Sequence, residues 1–428
     1  MKCVRRIMSR RYPLLLAVPL LLETIFIVYI FTVERNVILR PWQNEVFREM
    51  TRKSLNQIKN IQQNDSTLNS PVYIQNQRKE TLNSICKKIT IHPPSENLTI
   101  VYNKVHKLIY CEVPKIGSTF WLRFIHLLKQ NKTASPFAIK PHSVISLKVK
   151  EKFTYRDLTL ENSTRFLFVR NPYNRLFSAY IDKLFSPNPY FWSSLGKYII
   201  KTFRHHQSRC GHDVTFHEFL QYAVHSETTH KQQNNHVTSI WQLCSPCHTN
   251  IKYNIIGKME TFKDDTNFIL DDLHLREYKN ILKNMSVDAI RDTLYDTAHA
   301  YIEMRSSAYR CISIKEAAER IWTKLKVRGF IAADLPVPKK LSYKSKREVF
   351  EIFEDAHSKS VSKLGRQGLK RQQRAFFVQA FRKIPKQTVE EIKEGFDMDF
   401  RMFGYEKDME GLLNDIDYAN DSFTNILF

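Results

Sequence analysis

Two short apolar runs, each followed by a loop and a helix-like segment, place the strongest constraint on the fold of this chain. The first run covers residues 107–113, and an apolar helix-like segment follows at 120–129. The second run covers residues 165–169, and a similar segment follows at 174–185. Buried strands that alternate with helices in this way form parallel sheets. The sequence therefore predicts an α/β fold around a central parallel sheet.

The loop after the first predicted strand has the chemistry of an anion site. Residues 113–121 read Val-Pro-Lys-Ile-Gly-Ser-Thr-Phe-Trp. Gly117 permits a tight turn and Lys115 adds a mobile positive charge, while Ser118 and Thr119 can open a helix whose amide N–H groups attract anions. The spacing differs from the Gly-x-x-x-x-Gly-Lys-Ser/Thr pattern of an ATP-binding loop. The pattern of this loop fits both a phosphate cradle and a simple helix cap.

The second loop carries an arginine at the end of its predicted strand. Residues 166–180 read Phe-Leu-Phe-Val-Arg-Asn-Pro-Tyr-Asn-Arg-Leu-Phe-Ser-Ala-Tyr. Ligands of parallel sheets bind outside the carboxyl ends of the strands, where Arg170 stands, and the planar guanidinium suits phosphate. Ser178 follows on the next helix and could share an anion with it. An edge arginine paired with a carboxylate is the alternative.

The charge balance indicates a polyanionic partner. Lys and Arg number 66 against 43 acidic residues, a formal charge of +23, and 43% of the residues are hydrophobic. This composition excludes a wholly disordered, collagen-like or low-complexity chain. Residues 336–384 hold 13 basic against 4 acidic residues, a net +9. This segment is either an amphipathic helix pair with a solvated basic face or a binding wall for an acidic substrate.

Residues 12–33 are predicted to span a membrane. They are 22 largely apolar residues in which Glu23 is the one ionisable side chain, and a helix of that length reaches about 33 Å. The basic flank is N-terminal, which puts the rest of the chain in the lumen and disfavours a nucleic-acid partner. A cleaved signal peptide is the alternative. The predicted order is cytoplasmic tail 1–11, signal anchor 12–33, stem 34–84, folded domain 85–405 and tail 406–428.

The cysteines and glycosylation sequons agree with a luminal chain. An even number of cysteines in an oxidising compartment predicts up to three disulfides among fifteen pairings. Cys244-x-x-Cys247 could instead indicate redox or zinc chemistry, but no second pair stands at zinc-finger spacing, and we predict no metal. The six luminal cysteines are Cys86, Cys111, Cys210, Cys244, Cys247 and Cys311. The six sequons begin at Asn64, Asn97, Asn131, Asn162, Asn284 and Asn420.

Together the two loops resemble the donor-binding pair of sulfotransferases that use 3′-phosphoadenosine 5′-phosphosulfate (PAPS). The closer resemblance is to the Golgi carbohydrate sulfotransferases of the HNK-1/chondroitin and dermatan 4-O type. Two further stretches support that subgroup: residues 235–265, with Trp-Gln-Leu-Cys-Ser-Pro-Cys and Tyr-Asn-Ile-Ile-Gly-Lys-Met-Glu-Thr-Phe, and residues 396–405. The resemblance covers about 107–266 and this C-terminal patch.

The chain also departs from that subgroup. Many relatives have Cys-Thr-Asn-Trp-Lys where residues 118–122 here read Ser-Thr-Phe-Trp-Leu, and Asn171 replaces a frequent Asp. A His-Trp pair is here His236-Val237, and residues 288–384 match poorly. The departures leave donor use intact and the acceptor undefined.

The resemblance implies a P-loop NTPase-like sulfotransferase fold with helical C-terminal additions and specific roles for the loops. Lys115 would stabilise charge on the leaving bisphosphate, and His236 is the candidate general base, with an Asp or Glu as the alternative. Arg175 would orient its segment or contact the nucleotide, with a structural ion pair as the alternative. The 5′-phosphosulfate would be held by Pro114, Lys115, Ile116, Gly117, Ser118, Thr119 and Phe120. The 3′-phosphate segment would comprise Arg170, Asn171, Pro172, Tyr173, Asn174, Arg175, Leu176, Phe177 and Ser178.

The implied function is sulfonate transfer from PAPS to a glycan hydroxyl in the Golgi lumen. The acceptor would be a chondroitin- or dermatan-like chain, or a related chain containing N-acetylgalactosamine or glucuronate, and the basic surplus suits an acidic glycan or proteoglycan. One alternative is a uronyl 2-O or heparan-type sulfotransferase. Another is a non-catalytic, membrane-anchored polyanion-binding protein, whereas the loop spacing disfavours a kinase.

Overall fold

The structure is a computed structural model that describes residues 70–89, 99–140, 163–205, 207–248, 251–339, 341 and 344–414. The chain divides into two units, Met1–Ser70 and Pro71–Phe428, and the described elements belong to the second. The predicted tail 1–11 and signal anchor 12–33 lie outside the described residues. Among the helices that are described, none combines the length and apolar character needed to cross a bilayer.

A four-stranded sheet forms the centre of the α/β part. Its strands follow the order β1-β2-β3-β4, with β1 antiparallel to β2 and the other two pairs parallel. The prediction of a mixed fold with a parallel-containing central sheet is thus confirmed, whereas the antiparallel edge strand was not predicted. The strands are β1 (Ile100–Asn103), β2 (Leu108–Cys111), β3 (Thr164–Val169) and β4 (Ile255–Lys258).

Helices follow the two predicted strands and fill most of the C-terminal part. Those after β2 and β3 begin at Ser118 and Pro172, and the second continues as a π-helical turn through Ile181–Phe185. The helices described are α1 (Pro71–Cys86), α2 (Ser118–Lys129), α3 (Pro172–Tyr180), α4 (Phe216–Thr229), α5 (Ile240–Cys244), α6 (Phe262–Asp272), α7 (Glu277–Ile281), α8 (Met285–Ala308), α9 (Ile314–Val327), α10 (Lys346–Arg382, broken at Gly365), α11 (Lys386–Gly395), α12 (Asp397–Met402) and α13 (Met409–Asn414), with short helical turns between Pro189 and Arg204.

The described residues form two apolar cores. The first surrounds the sheet, where Tyr110, Trp121 and Phe166 are fully buried. The second lies among the C-terminal helices, and α3 contributes Tyr173 and Phe177 to it. Because α3 follows β3 directly, its buried face fixes the loop after β3 against the helical core.

The basic segment 336–384 is largely the long helix α10. Its aromatic residues Phe353, Phe376, Phe377 and Phe381 are buried in the helical core. Basic side chains such as Arg366, Lys370 and Arg371 are exposed. This arrangement is the amphipathic one, with an apolar face in the core and a solvated basic face.

The folded part extends beyond the predicted bounds 85–405 at both ends. Most of helix α1 lies within the predicted stem 34–84, yet Leu82 is buried and Arg78 pairs with Asp265 at 2.7 Å. At the other end Met409 of α13 is buried. Helix α1 is attached partly through a polar pair to a distant carboxylate, and its sequence shows little apolar periodicity. The sequence pattern therefore predicts a stem in this region.

Three disulfides join the six cysteines that follow the predicted signal anchor, which confirms the prediction of disulfide bonding. They are Cys86–Cys247, Cys111–Cys244 and Cys210–Cys311. Cys244 and Cys247 therefore bond to two different partners, which is incompatible with a redox dithiol between them. Within the described ranges, no three His, Cys, Asp or Glu side chains are grouped so as to hold a metal ion.

We predict that replacing both Cys111 and Cys244 by alanine lowers the free energy of unfolding by about 2–5 kcal/mol. The bond ties the end of β2 to α5 across 133 residues of sequence, so its loss releases a long loop in the unfolded chain. Urea unfolding of the two proteins measures the difference. Non-reducing peptide mapping that links Cys244 to Cys247 instead would contradict the pairing.

Candidate active site

The two predicted loops meet at one edge of the sheet. Because β2 and β3 are parallel neighbours, the residues that follow them emerge side by side. Arg170 donates from Nη1 to the carbonyl oxygen of Lys115 at 3.2 Å. Arg175 donates from Nε to the carbonyl oxygen of Pro114 at 3.3 Å. The segment after β3 therefore holds the loop after β2 by its carbonyl groups.

The loop after β2 ends at an open helix N-terminus. Gly117 precedes α2 with a φ of 83°, and a Cβ atom there would lie 2.4 Å from the ring of Phe262, so glycine is required. Lys115 also has a left-handed φ, 74°. No side chain caps α2, which leaves the first amide N–H groups of Ser118 and Thr119 for an anion. This arrangement favours the phosphate cradle over the simple helix cap.

Lys115 is paired within the site. Its Nζ lies 2.7 Å from Oδ2 of Asp182, and its side chain is 13% exposed. Burial lowers the pKa of Lys115 to about 7, an effect that Asp182 opposes and that Lys183 and Arg328 reinforce. The lysine therefore loses half of its positive charge near neutral pH.

Several charged residues around Lys115 were missed by sequence reasoning. Asp182 lies four residues after Ser178, a spacing that puts both on one helix face and could have drawn attention to it. Lys324 reaches the same carboxylate from a position 142 residues away, and no local pattern predicts that contact. The residues missed are Asp182, Lys183, Lys324 and Arg328 near Lys115, and Glu260 beside Arg170.

Arg170 stays charged at neutral pH. Burial lowers its pKa to about 10, and the charge of Glu260 opposes that shift. Glu260 accepts hydrogen bonds from the amide of Asn171 at 3.4 Å and from the hydroxyl of Tyr405 at 2.9 Å. The carboxylate therefore links the C-terminal patch to the β3 loop.

The rest of the 170–178 segment divides into buried and accessible residues. Asn171 caps α3, since its Oδ1 accepts from the amides of Tyr173 and Asn174. The side chains of Pro172, Tyr173, Leu176 and Phe177 are buried, as are those of Ile116 and Phe120 in the first loop. The predicted donor-loop residues that remain at least partly exposed are Pro114, Lys115, Gly117, Ser118, Thr119, Arg170, Asn174 and Ser178.

Arg175 is buried, with 2% of its surface exposed. Besides Pro114, it donates to the carbonyl oxygens of Asn235 at 2.9 Å, Val237 at 3.3 Å and Thr238 at 2.7 Å. Its contacts are thus to backbone carbonyls rather than to a carboxylate, unlike the ion pair considered from the sequence. The guanidinium joins the first loop to the 235–238 segment.

His236 lies on that segment, in the electrostatic field of the Lys115 cluster. Burial, with the charges of Lys183 and Lys115, lowers the pKa of His236 to about 2. Its ring meets the ring of Phe191 edge-on, with the centroids 5.4 Å apart. Nδ1 is buried and has no hydrogen-bond partner among the described residues. The imidazole is therefore neutral at physiological pH.

The C-terminal patch holds the start of α5 in place. Both carboxylate oxygens of Asp399 accept from the first amides of α5, those of Ile240 and Trp241, at 2.8 Å each. Glu227 accepts from the amide of Ser239 at 2.9 Å. Burial raises the pKa of Asp399 to about 6 and that of Glu227 to about 7. These contacts explain why the 235–247 and 396–405 stretches occur together.

The amino-acid sequence of this chain is similar to those of several carbohydrate sulfotransferases. The chain is 33% identical over 199 residues to carbohydrate sulfotransferase 11 of Rattus norvegicus, which covers 44% of this chain and 56% of that protein. It is 34% identical over 218 residues to carbohydrate sulfotransferase 8 of Mus musculus, covering 47% and 51% respectively. It is 33% identical over 213 residues to carbohydrate sulfotransferase 9 of Homo sapiens, covering 46% and 47%. The chain thus spans about half the length of the curated relatives it matches.

No solved structure matches the chain at a significant level. The sequence model of the sulfotransferase family, in contrast, matches residues 98–323, more than half of the chain. That region contains both loops, the Arg175 contacts and His236, and the relatives agree with the resemblance to carbohydrate sulfotransferases. This chain belongs to the sulfotransferase family.

Proposed function

We propose that this protein transfers a sulfonate group from PAPS to a hydroxyl group of a glycan in the Golgi lumen. The acceptor is a chondroitin- or dermatan-like chain, or a related chain that contains N-acetylgalactosamine or glucuronate. The observation that carries the proposal is the contact between the Lys115 loop and Arg170. It puts two cationic groups and an open helix N-terminus at one sheet edge, which suits a nucleotide with phosphates at both its 3′ and 5′ positions.

In this proposal each loop binds one end of the donor. The open amides of Ser118 and Thr119 and the Lys115 ammonium take the 5′-phosphosulfate, in a P-loop-like arrangement of strand, anion loop and helix. Arg170 and the partly exposed Ser178 take the 3′-phosphate. The buried residues of both loops support these contacts without touching the donor.

The reaction itself is an in-line displacement at sulfur. An acceptor oxygen forms a bond to sulfur while the bond from sulfur to the bridging phosphate oxygen breaks, and adenosine 3′,5′-bisphosphate leaves. Lys115 stabilises the negative charge that grows on the bridging oxygen. His236, as the general base, accepts the proton of the hydroxyl. The donor's negative charge offsets the cations that lower the pKa of His236, so the imidazole becomes a better base in the complex.

The sequence and the relatives' names support the proposed location and acceptor. A signal anchor at 12–33 would hold the enzyme in the Golgi membrane with its catalytic part in the lumen, where the disulfides form. The formal charge of +23 suits an acidic glycan or proteoglycan. The relatives are named carbohydrate sulfotransferases, which supports a glycan rather than another class of acceptor.

We predict that the full chain transfers label from radiolabelled PAPS to at least one member of a panel of desulfated glycosaminoglycans. Lys115→Ala should lower kcat by about 100- to 1,000-fold, because the leaving oxygen loses its cation. Arg170→Ala should raise the Kd for adenosine 3′,5′-bisphosphate at least tenfold by calorimetry. Lys129→Ala, at the exposed end of α2, is the matched control and should leave both values unchanged.

Three outcomes of this experiment count against the proposal or its acceptor. Label on none of the acceptors, with no retention of the bisphosphate, would favour a polyanion-binding protein that does not catalyse transfer. Equal labelling by the wild type and Arg170→Ala would show that the β3 loop does not bind the donor. Preferential labelling of desulfated heparan would favour the heparan-type alternative.

We predict that kcat/KM for PAPS falls as the pH rises through about 7. The pKa of Lys115 is lowered to about 7, so its cation is present below that pH and is lost above it. Since kcat/KM reports the free enzyme, the decline should approach tenfold per pH unit. Lys115→Arg keeps its charge throughout and should remove the decline, even though its activity is lower. A decline that persists in Lys115→Arg would assign it to another group.

We predict that His236→Gln lowers kcat by about 100- to 10,000-fold while the Kd for adenosine 3′,5′-bisphosphate stays within about twofold. Glutamine is polar and similar in reach but cannot take the acceptor proton. His225→Gln, on α4, is the matched control. An unchanged kcat in His236→Gln would leave an acidic side chain as the base.

A further inference from the structure

The Asp182 carboxylate is shared by two lysines from distant parts of the chain. Its Oδ2 lies 2.7 Å from Nζ of Lys115, and its Oδ1 lies 2.7 Å from Nζ of Lys324. Lys183 approaches the Oδ2 side at 3.5 Å. Each carboxylate oxygen thus has its own lysine, and the side chain is fixed between the first loop and α9.

Lys324 is the more buried of the two lysines. The side chain of Lys324 is 8% exposed, against 13% for Lys115 and 25% for Asp182. Lys324 stands on α9 among Ile321, Trp322 and Leu325, which are buried in the helical core. A lysine side chain is long and flexible, so its ammonium needs fixed partners to hold one position. Asp182, itself fixed by Lys324, supplies such a partner for Lys115.

We propose that Asp182 and Lys324 are positioning residues that hold the Lys115 ammonium at the donor loop. This inference rests on the proposed function, because it assigns a task to Lys115 in donor binding. It brings α9 into the site: the family match ends at residue 323, so Lys324 lies one residue beyond it.

The sign of each residue's effect on Lys115 follows from charge. Asp182 opposes the burial that lowers the pKa of Lys115, so neutralising Asp182 lowers that pKa further. Removing the cation of Lys324 leaves the carboxylate to Lys115 and raises the pKa of Lys115. Lys183 and Arg328 also act on Lys115 through their charges. The neutral His236 lies in the field of Lys115, Asp182 and Arg175, and Asp296 acts on Arg328.

The test compares Asp182→Asn and Lys324→Met in the full chain, purified in detergent. The high-pH decline of kcat/KM for PAPS should move about one pH unit lower in Asp182→Asn and to higher pH in Lys324→Met. At pH 8, Asp182→Asn should show about a tenfold lower kcat/KM than the wild type. Lys315→Met, an exposed lysine on the same helix, is the matched control and should leave the decline in place.

A second readout measures Lys115 without any substrate. Acetylation by limiting acetic anhydride at a series of pH values, read by peptide mass spectrometry, gives the pKa of Lys115 in each variant. The pKa of Lys115 should be lower than the wild-type value in Asp182→Asn and higher in Lys324→Met. Asp182→Glu, which keeps the carboxylate, should have the wild-type value. A merely structural role would lower activity at every pH without moving either curve.

The possible failures are distinguishable. Wild-type chain that neither binds adenosine 3′,5′-bisphosphate nor transfers sulfonate would overturn the proposed function, and this inference with it. Active wild-type enzyme would leave the proposed function standing. In that case the role of Asp182 and Lys324 alone would be overturned by either of two results. The high-pH decline of kcat/KM for PAPS could stay in place in both variants, or it could move in the same direction in both.

Discussion

The parallel pairing of β2 and β3 is the constraint on which the site depends. Their register, from Leu108 opposite Thr164 to Cys111 opposite Leu167, brings the two following loops to one edge of the sheet. Arg170 and Arg175 then hold the carbonyl groups of the β2 loop, so its amide groups and Lys115 are left for an anion. A sheet with these strands separated or antiparallel would not bring the two loops together.

The C-terminal helices hold several residues of the site in position. Asp399 holds the start of α5, Tyr405 bonds to Glu260 beside Arg170, and Lys324 holds the carboxylate that pairs with Lys115. Arg175, buried beneath both loops, joins the 235–238 backbone to them. The cations of the two loops are therefore held by parts of the chain that lie far apart in sequence.

The sequence predicted those features that leave a local pattern. Strands β2 and β3, helices α2 and α3 and the two loops follow from apolar runs with glycine, lysine and arginine at their ends. The contacts of Asp182 with Lys324 and of Arg78 with Asp265 span 142 and 187 residues and have no local signature. The same is true of the disulfide partners, because six cysteines allow fifteen pairings. The burial of Tyr173, Leu176 and Phe177 was not predicted either, because the whole motif that contains them resembles a ligand-binding segment.

The most direct test of the central claim is a crystal structure of the protein with adenosine 3′,5′-bisphosphate. The account predicts the 5′-phosphate against the amides of Ser118 and Thr119 within reach of Lys115, and the 3′-phosphate against Arg170 and Ser178. A nucleotide bound elsewhere, or one that contacts the first loop while its 3′-phosphate points away from Arg170, would contradict it.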